Sequence, residues 1–142
     1  MNYSPFTRVT YAKTKLVPSR NWLFGSSTYQ KQDTVYLFVF DGYANWEPTY
    51  ATIGLTKFSL YRVKTFIVDE HPICSMGGLS LQPDLTIEEV DLSRINLLIL
   101  PGGYNVCEKG NNQQVVTLVK QLIQQQTQVA VICGATTISR GH

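Results

Sequence analysis

Residues 129–136, with the sequence VAVICGAT, decide the fold. The apolar run from Val129 to Ile132 is rich in β-branched residues and predicts a buried strand. Cys133 follows it directly, and the Gly-Ala step after the cysteine predicts the start of a helix. A strand that ends on a thiol and turns at once into a helix holds a nucleophile at a sharp turn. Cys133 is therefore the candidate nucleophile.

Three more segments read as strands. VYLFVF at residues 35–40 ends on Asp41-Gly42, and NLLIL at residues 96–100 ends on Pro101-Gly102-Gly103. Continuous apolar runs of this kind are typical of strands that are buried on both faces of a parallel sheet. Residues 62–68 predict the remaining strand.

Two helices and a hairpin are predicted between the strands. Asn45 is expected to cap the first helix, because Asn side chains accept hydrogen bonds from first-turn amides. The first turn of that helix contains Trp46, Glu47 and Pro48, and its apolar face carries Ala51, Leu55 and Phe58. The second helix has the amphipathic spacing Val115, Leu118, Val119, Leu122 and Ile123. Residues 71–82, with Met76-Gly77-Gly78 in the middle, predict a β-hairpin.

The resulting order is β-α-β-hairpin-β-α-β-α, which indicates an α/β fold with a parallel sheet and helices on both faces. Sheets of this kind bind and react at the carboxyl ends of their strands, where the strand order reverses. Three loops are expected to meet there: residues 41–47, 101–104 and 133–135. The topology alone thus gathers an acid, a glycine pair and a thiol.

These loops carry the groups of a nucleophilic site. Helix N-terminal amides would stabilise a Cys133 thiolate, and the amides of Gly103 and Gly134 would bind an oxyanion. Glu47 would donate a hydrogen bond to the thiolate when protonated, or orient a base when ionised. The structural alternatives are a core cysteine, an acid that complements a helix dipole, and a plain glycine turn.

Composition narrows the function classes. Residues 1–32 contain five basic residues and no acid, whereas the remainder has seven basic and ten acidic residues. A mildly acidic body without a basic stripe argues against nucleic acid as a partner, and no stretch has the ~20 apolar residues of a membrane span. Three cysteines without a CxxC motif or a nearby pair of histidines predict no disulfide framework and no metal site, and the cytoplasm as compartment. We also expect no cofactor.

The N-terminal segment, residues 1–32, shows neither helical nor strand periodicity. Its basic residues, with Ser, Thr and no acid, faintly suggest an organelle transit peptide. We favour the alternatives, a disordered tail or a sequence outside the natural domain, and place the domain at residues 33–142.

Four segments resemble the DJ-1/PfpI superfamily, the class I glutamine amidotransferase-like fold. They are residues 39–48 (VFDGYANWEP), 75–79 (SMGGL), 98–103 (LILPGG) and 130–136 (AVICGAT). The resemblance implies a flavodoxin-like sandwich and a homodimer, with Cys133 as the elbow nucleophile and Glu47 as the acid that contacts it. Members are described as peptidases, deglycases or glyoxalases, chaperones, redox sensors and glutaminase domains.

The sequence departs from the branches of this family. The protease branch has a histidine directly after the cysteine, where Gly134 stands here, and the glutaminase branch has glycines at the positions of Val131 and Ala135. A bacterial branch is more similar, but its histidine lies beyond the elbow helix, and His142 does not match that position. We therefore predict a C-terminally truncated, incomplete domain with an open sheet edge and weak hydrolase activity.

Two functions follow as hypotheses. The first is a cysteine-dependent hydrolase or amidotransferase-like enzyme for a small carbonyl or amide substrate. The second is a non-catalytic redox-sensing or stress-related binding protein built around a reactive cysteine. Cys74 and Cys107 are expected to be inert, and His71 and His142 to be exposed or turn residues.

Overall fold

A computed structural model describes residues 33–104 and 113–135. The strands are β1 (Thr34–Phe38), β2 (Arg62–Ile67), β3 (Ile73–Cys74), β4 (Ser80–Leu81), β5 (Leu85–Thr86), β6 (Ile95–Leu100) and β7 (Gln128–Val131). The helices are α1 (Thr49–Phe58) and α2 (Gln113–Gln124), and short 3-10 turns cover Ile87–Glu89 and Cys133–Ala135. The predictions for residues 1–32, for Cys107 and for His142 lie outside the described residues.

The main sheet has five parallel strands in the order β5-β2-β1-β6-β7. The chain passes from β1 through α1 to β2 in one direction, and from β6 through α2 to β7 in the other. Because such crossovers are right-handed, α1 and α2 lie on opposite faces of the sheet. The order reverses between β1 and β6, which confirms the flavodoxin-like α/β fold and defines a switch point at the ends of these strands.

The core covers both faces of the central strands, and α2 contributes five buried residues to it. Every residue of β1 is buried, as are Leu98, Ile99 and Leu100 at the end of β6. The rings of Phe38 and Phe66 on the neighbouring strands β1 and β2 lie with their centroids 5.4 Å apart. Burial on both faces explains why these strands are continuous apolar runs, without the alternation of a half-exposed sheet.

Helix α1 begins three residues later than predicted. It starts at Thr49, and Asn45 does not cap it. The Asn45 side chain instead accepts a hydrogen bond from the Gly77 amide at 3.1 Å, while its carbonyl accepts from the Thr49 hydroxyl at 2.6 Å. The prediction failed because Asn45 serves a distant segment. As a result Glu47 lies in a turn before the helix.

The predicted apolar faces need correction in both helices. No residue of α1 is buried; Leu55 packs against the core, but Ala51 and Phe58 are exposed. Apolar residues lie on more than one side of this helix, so their spacing did not define one face. In α2 the predicted face is confirmed except for Ile123, which is exposed, and Val116 is buried in addition.

The hairpin is confirmed, since β3 and β4 pair antiparallel with Ile73 opposite Leu81. Strand β5 was not predicted, because two residues are too few for a periodic signal; it pairs with β2 at one edge of the sheet. Strand β7 is the other edge within the described residues, and its residues 129–131 are half-buried. No helix in the described part of the chain is long and apolar enough to cross a membrane.

Candidate active site

The loops after β1 and β6 are joined by backbone hydrogen bonds. The Ala44 amide donates to the Gly102 carbonyl at 2.8 Å, and the Tyr104 amide donates to the Gly42 carbonyl at 3.0 Å. The contact is so close that a β-carbon on Gly103 would lie 2.8 Å from the Tyr43 α-carbon and would overlap the Gly42 carbonyl oxygen. Position 103 therefore requires glycine.

Glu47 is held by this second loop. Its Oε2 accepts a hydrogen bond from the Gly102 amide at 2.5 Å, across 55 residues of sequence. This hydrogen bond fixes the carboxyl group over the loop. The alternative was that Glu47 only complements the dipole of α1. Glu47 instead precedes that helix and contacts the Gly102 amide.

Glu47 and Cys133 converge on Gly102. A β-carbon placed on Gly102 would lie 3.1 Å from Cβ of Cys133 and 3.1 Å from each carboxylate oxygen of Glu47. The three loops predicted to meet at the carboxyl ends of β1, β6 and β7 therefore do meet. Gly102, whose missing side chain leaves this space open, forms the floor between the thiol and the acid. Its role was not predicted.

Cys133 stands at a turn with an unusual backbone. The Ile132 amide still pairs with the Leu100 carbonyl at 2.9 Å, and the next residue, Cys133, has φ +53°. A non-glycine residue in this left-handed region costs about 1–2 kcal/mol. The thiol is free and exposed, whereas Ala135 at the end of the 3-10 turn is fully buried. The alternative of an inert core cysteine disagrees with this exposure.

The candidate oxyanion donors lie beside these groups. Gly103 follows the Gly102 floor, and its amide donates to no acceptor within residues 33–104 and 113–135. Gly134 follows the thiol within the 3-10 turn. The assignment of both amides as donors stays a prediction.

The hairpin binds the other side of the loop after β1. Asp41 Oδ1 accepts from the Cys74 amide at 3.0 Å, and the Gly42 amide donates to the Cys74 carbonyl at 2.8 Å. The Met76 amide donates to the Tyr43 carbonyl at 2.9 Å. The loop that carries Glu47 is thus hydrogen-bonded on both sides, by the hairpin and by residues 102–104.

In the described residues no histidine makes a hydrogen bond or ion pair with the Cys133 thiol. His71 Nε2 lies 3.3 Å from Asp41 Oδ2, and both side chains are exposed. This agrees with the expectation for His71, and His142 lies outside the described residues. Across residues 33–104 and 113–135, no three His, Cys, Asp or Glu side chains are grouped so as to hold a metal ion.

Comparisons with known proteins identify the family of this chain. The sequence profile of the DJ-1/PfpI family matches residues 33–140. A Bacillus subtilis protein described as uncharacterized protease YoaZ is 34% identical over 109 residues, which cover 72% of this chain and 51% of the relative. The chain thus spans about half the length of this curated relative.

Two solved structures share the fold. A thiJ/pfpI family protein from Bacillus anthracis is 32% identical with a TM-score of 0.67, over 75% of this chain and 54% of that one. A DJ-1 superfamily protein from Agrobacterium tumefaciens, Atu0886, is 28% identical with a TM-score of 0.68, over 75% and 56% of the two chains. With the profile match over most of its length, the chain belongs to the DJ-1/PfpI family.

Proposed function

We propose that this domain carries a cysteine-dependent hydrolase-type site for small carbonyl or amide substrates. One observation carries the proposal, namely the convergence of the exposed Cys133 and the anchored Glu47 over Gly102. The name of the Bacillus subtilis relative, an uncharacterized protease, supports the hydrolase class.

Each group has a role in an acyl transfer. The Cys133 thiolate attacks the substrate carbonyl carbon, a C–S bond forms, and the carbonyl electron pair moves to oxygen. The Gly103 amide, with Gly134 as a predicted second donor, binds that oxyanion. When the carbonyl re-forms, the leaving group departs with the electron pair of its bond. In its protonated form Glu47 donates a hydrogen bond to the thiolate through one oxygen, while its other oxygen accepts from the Gly102 amide.

An activated ester tests the first half of this reaction. With p-nitrophenyl acetate we expect a burst of about one nitrophenolate per chain and an acetyl thioester on Cys133 by peptide mass spectrometry. Cys133→Ala should abolish both. Acetylation that is equal on Cys133 and the exposed Cys74 would refute a specific nucleophile at position 133.

Glu47→Leu tests the acid. Loss of a hydrogen bond to the charged thiolate costs about 1.5–3 kcal/mol. The thiolate that remains is more nucleophilic, which compensates for part of this loss. The net result is a burst that is about threefold to tenfold slower. Glu47→Gln, whose amide can still donate, should retain most of the rate. Glu88→Gln, at an acid in the turn after β5, is the matched control and should change nothing.

Turnover after the burst is expected to be weak in this chain. Deacylation needs a base to activate water, and within residues 33–104 and 113–135 His71 contacts Asp41 and makes no contact with Cys133. A homodimer and a cytoplasmic location, inferred from the resemblance and the cysteine count, remain proposals.

A redox role is the second candidate, because Cys133 is free and exposed. Mild peroxide should convert Cys133 to sulfenic or sulfinic acid, and Cys74 provides an exposed thiol in the same molecule for comparison. Oxidation confined to Cys133, together with no burst, would favour this role. Equal oxidation of both thiols would exclude it.

A further inference from the structure

We propose that Asn45 is a positioning residue for Glu47, acting through its contact with Gly77 at the tip of the hairpin. The inference rests on the proposed function, since it concerns how the acid of that site is held. Asn45 lies two residues before Glu47, and its side-chain oxygen accepts the Gly77 amide at 3.1 Å.

The hairpin tip is a fixed support. The Ser75 amide donates to the Leu79 carbonyl, and the Leu79 amide donates to the Ser75 hydroxyl at 3.0 Å. Ser75 is itself buried. A closed turn of this kind, between two paired strands, presents the Gly77 amide in one direction and gives the Asn45 side chain a rigid partner.

Asn45 then connects this support to the acid. Its own carbonyl accepts the Thr49 hydroxyl at 2.6 Å, which fixes the residue against the first turn of α1. Glu47 lies between Asn45 and Thr49 in the sequence, and its amide donates to the Ala44 carbonyl at 3.1 Å. The side chain and the carbonyl of Asn45 therefore hold the turn from which the Glu47 carboxyl reaches Gly102.

The partner position is equally constrained. A β-carbon on Gly77 would lie 2.7 Å from Asn45 Oδ1 and 3.3 Å from Nδ2. Gly77→Ala therefore displaces the Asn45 amide, while Asn45→Ala removes it. Once Asn45 is alanine, the added methyl at position 77 meets no amide. The two substitutions act on one contact, so their effects should not add.

The experiment measures iodoacetamide alkylation of Cys133 relative to Cys74 in the same chain, near neutral pH and at about 0.15 M salt, where exposed charges are largely screened. We expect Asn45→Ala and Gly77→Ala each to lower this ratio about threefold to tenfold, and the double variant to lower it no further. Asn45→Asp keeps an oxygen acceptor at the same place and should restore the ratio.

Asp84→Ala is the matched control. Asp84 Oδ2 accepts from the Thr65 amide at 2.7 Å, an exposed side-chain bond to a distant backbone amide that lies outside the site. It should lower the melting temperature without changing the ratio.

The outcomes separate this inference from the proposed function. If Glu47→Leu leaves the ratio unchanged, the proposed function fails. If Glu47→Leu lowers the ratio but Asn45→Ala and Gly77→Ala do not, the positioning role alone fails. A ratio that falls in Asp84→Ala as well, in step with the melting temperature, would also overturn it, because loss of stability would then explain the change.

Discussion

Gly102→Ala separates the geometry of the site from the stability of the fold. The added methyl would lie 3.1 Å from Cβ of Cys133 and from both oxygens of Glu47, whereas an ordinary contact begins near 3.4 Å. The acid and the thiol must therefore separate by about 0.3 Å. Since a misplacement of 1 Å can cost about a hundredfold in rate, a shift of this size corresponds to roughly fourfold.

The assay compares the acylation burst and the thermal unfolding of three glycine variants. Gly102→Ala should slow the burst about fourfold and cost about 1 kcal/mol or less, because the Glu47 side chain can shift. Gly103→Ala, whose methyl would meet backbone, should unfold the domain or lower its melting temperature much further. Gly54→Ala in α1, where nothing lies within 4 Å, should leave the burst unchanged.

Two results would refute this reasoning. One is a Gly102→Ala variant with an unchanged burst, since Gly102 would then not be the floor between thiol and acid. The other is a burst that falls only in proportion to the folded fraction in all three variants.

Three further predictions concern stability. Cys133→Gly should be about 1 kcal/mol more stable than Cys133→Ala in urea unfolding, because glycine adopts the positive φ without strain; equal stabilities would argue against the strained turn. Burial raises the pKa of Tyr43 above its ordinary 10.0. The contribution of the neutral hydroxyl to stability is therefore present below pH 10.0 and is lost as the pH rises through the raised pKa. In alkaline titration Tyr43→Phe should lose less stability than the wild type. Hydrogen bonds from the Thr86 amide and hydroxyl lower the pKa of Glu89 below its ordinary 4.5. The contribution of the ionised carboxylate to stability is therefore lost as the pH falls through the lowered pKa. Glu89→Gln should make stability depend less steeply on pH in the acid range, and an unchanged dependence would contradict this.

The sheet was predictable because strands that are buried on both faces of a parallel sheet are continuous apolar runs in the sequence. The runs at 35–40 and 97–100 are apolar throughout, and all of their residues except the half-buried Leu97 are buried. Their order with the helices then fixed where the three loops meet. The sequence pattern and the family resemblance therefore predicted that Cys133 and Glu47 lie close together.

The contacts between loops were not predictable, because they join residues far apart in sequence. Asn45 was read as a helix cap, a local role that fits its residue type, but it accepts from Gly77, 32 residues away. Gly102 was predicted as part of a glycine pair that presents an oxyanion-binding amide or forms a plain turn, and the approach of Glu47 and Cys133 to it was not predicted. The predicted apolar face of α1 was wrong because this ten-residue helix carries apolar residues on several sides, so their spacing does not define one face.

The central claim is that Glu47 makes Cys133 a distinctive thiol, and one competition measurement tests it most directly. Wild-type chain is treated with a limiting amount of iodoacetamide near neutral pH, and alkylation is mapped at each cysteine. Cys74, exposed in the same molecule, is the internal reference. We predict that Cys133 reacts about tenfold faster than Cys74 and that Glu47→Leu removes most of this advantage. Equal rates at Cys133 and Cys74, in both wild type and Glu47→Leu, would contradict the account.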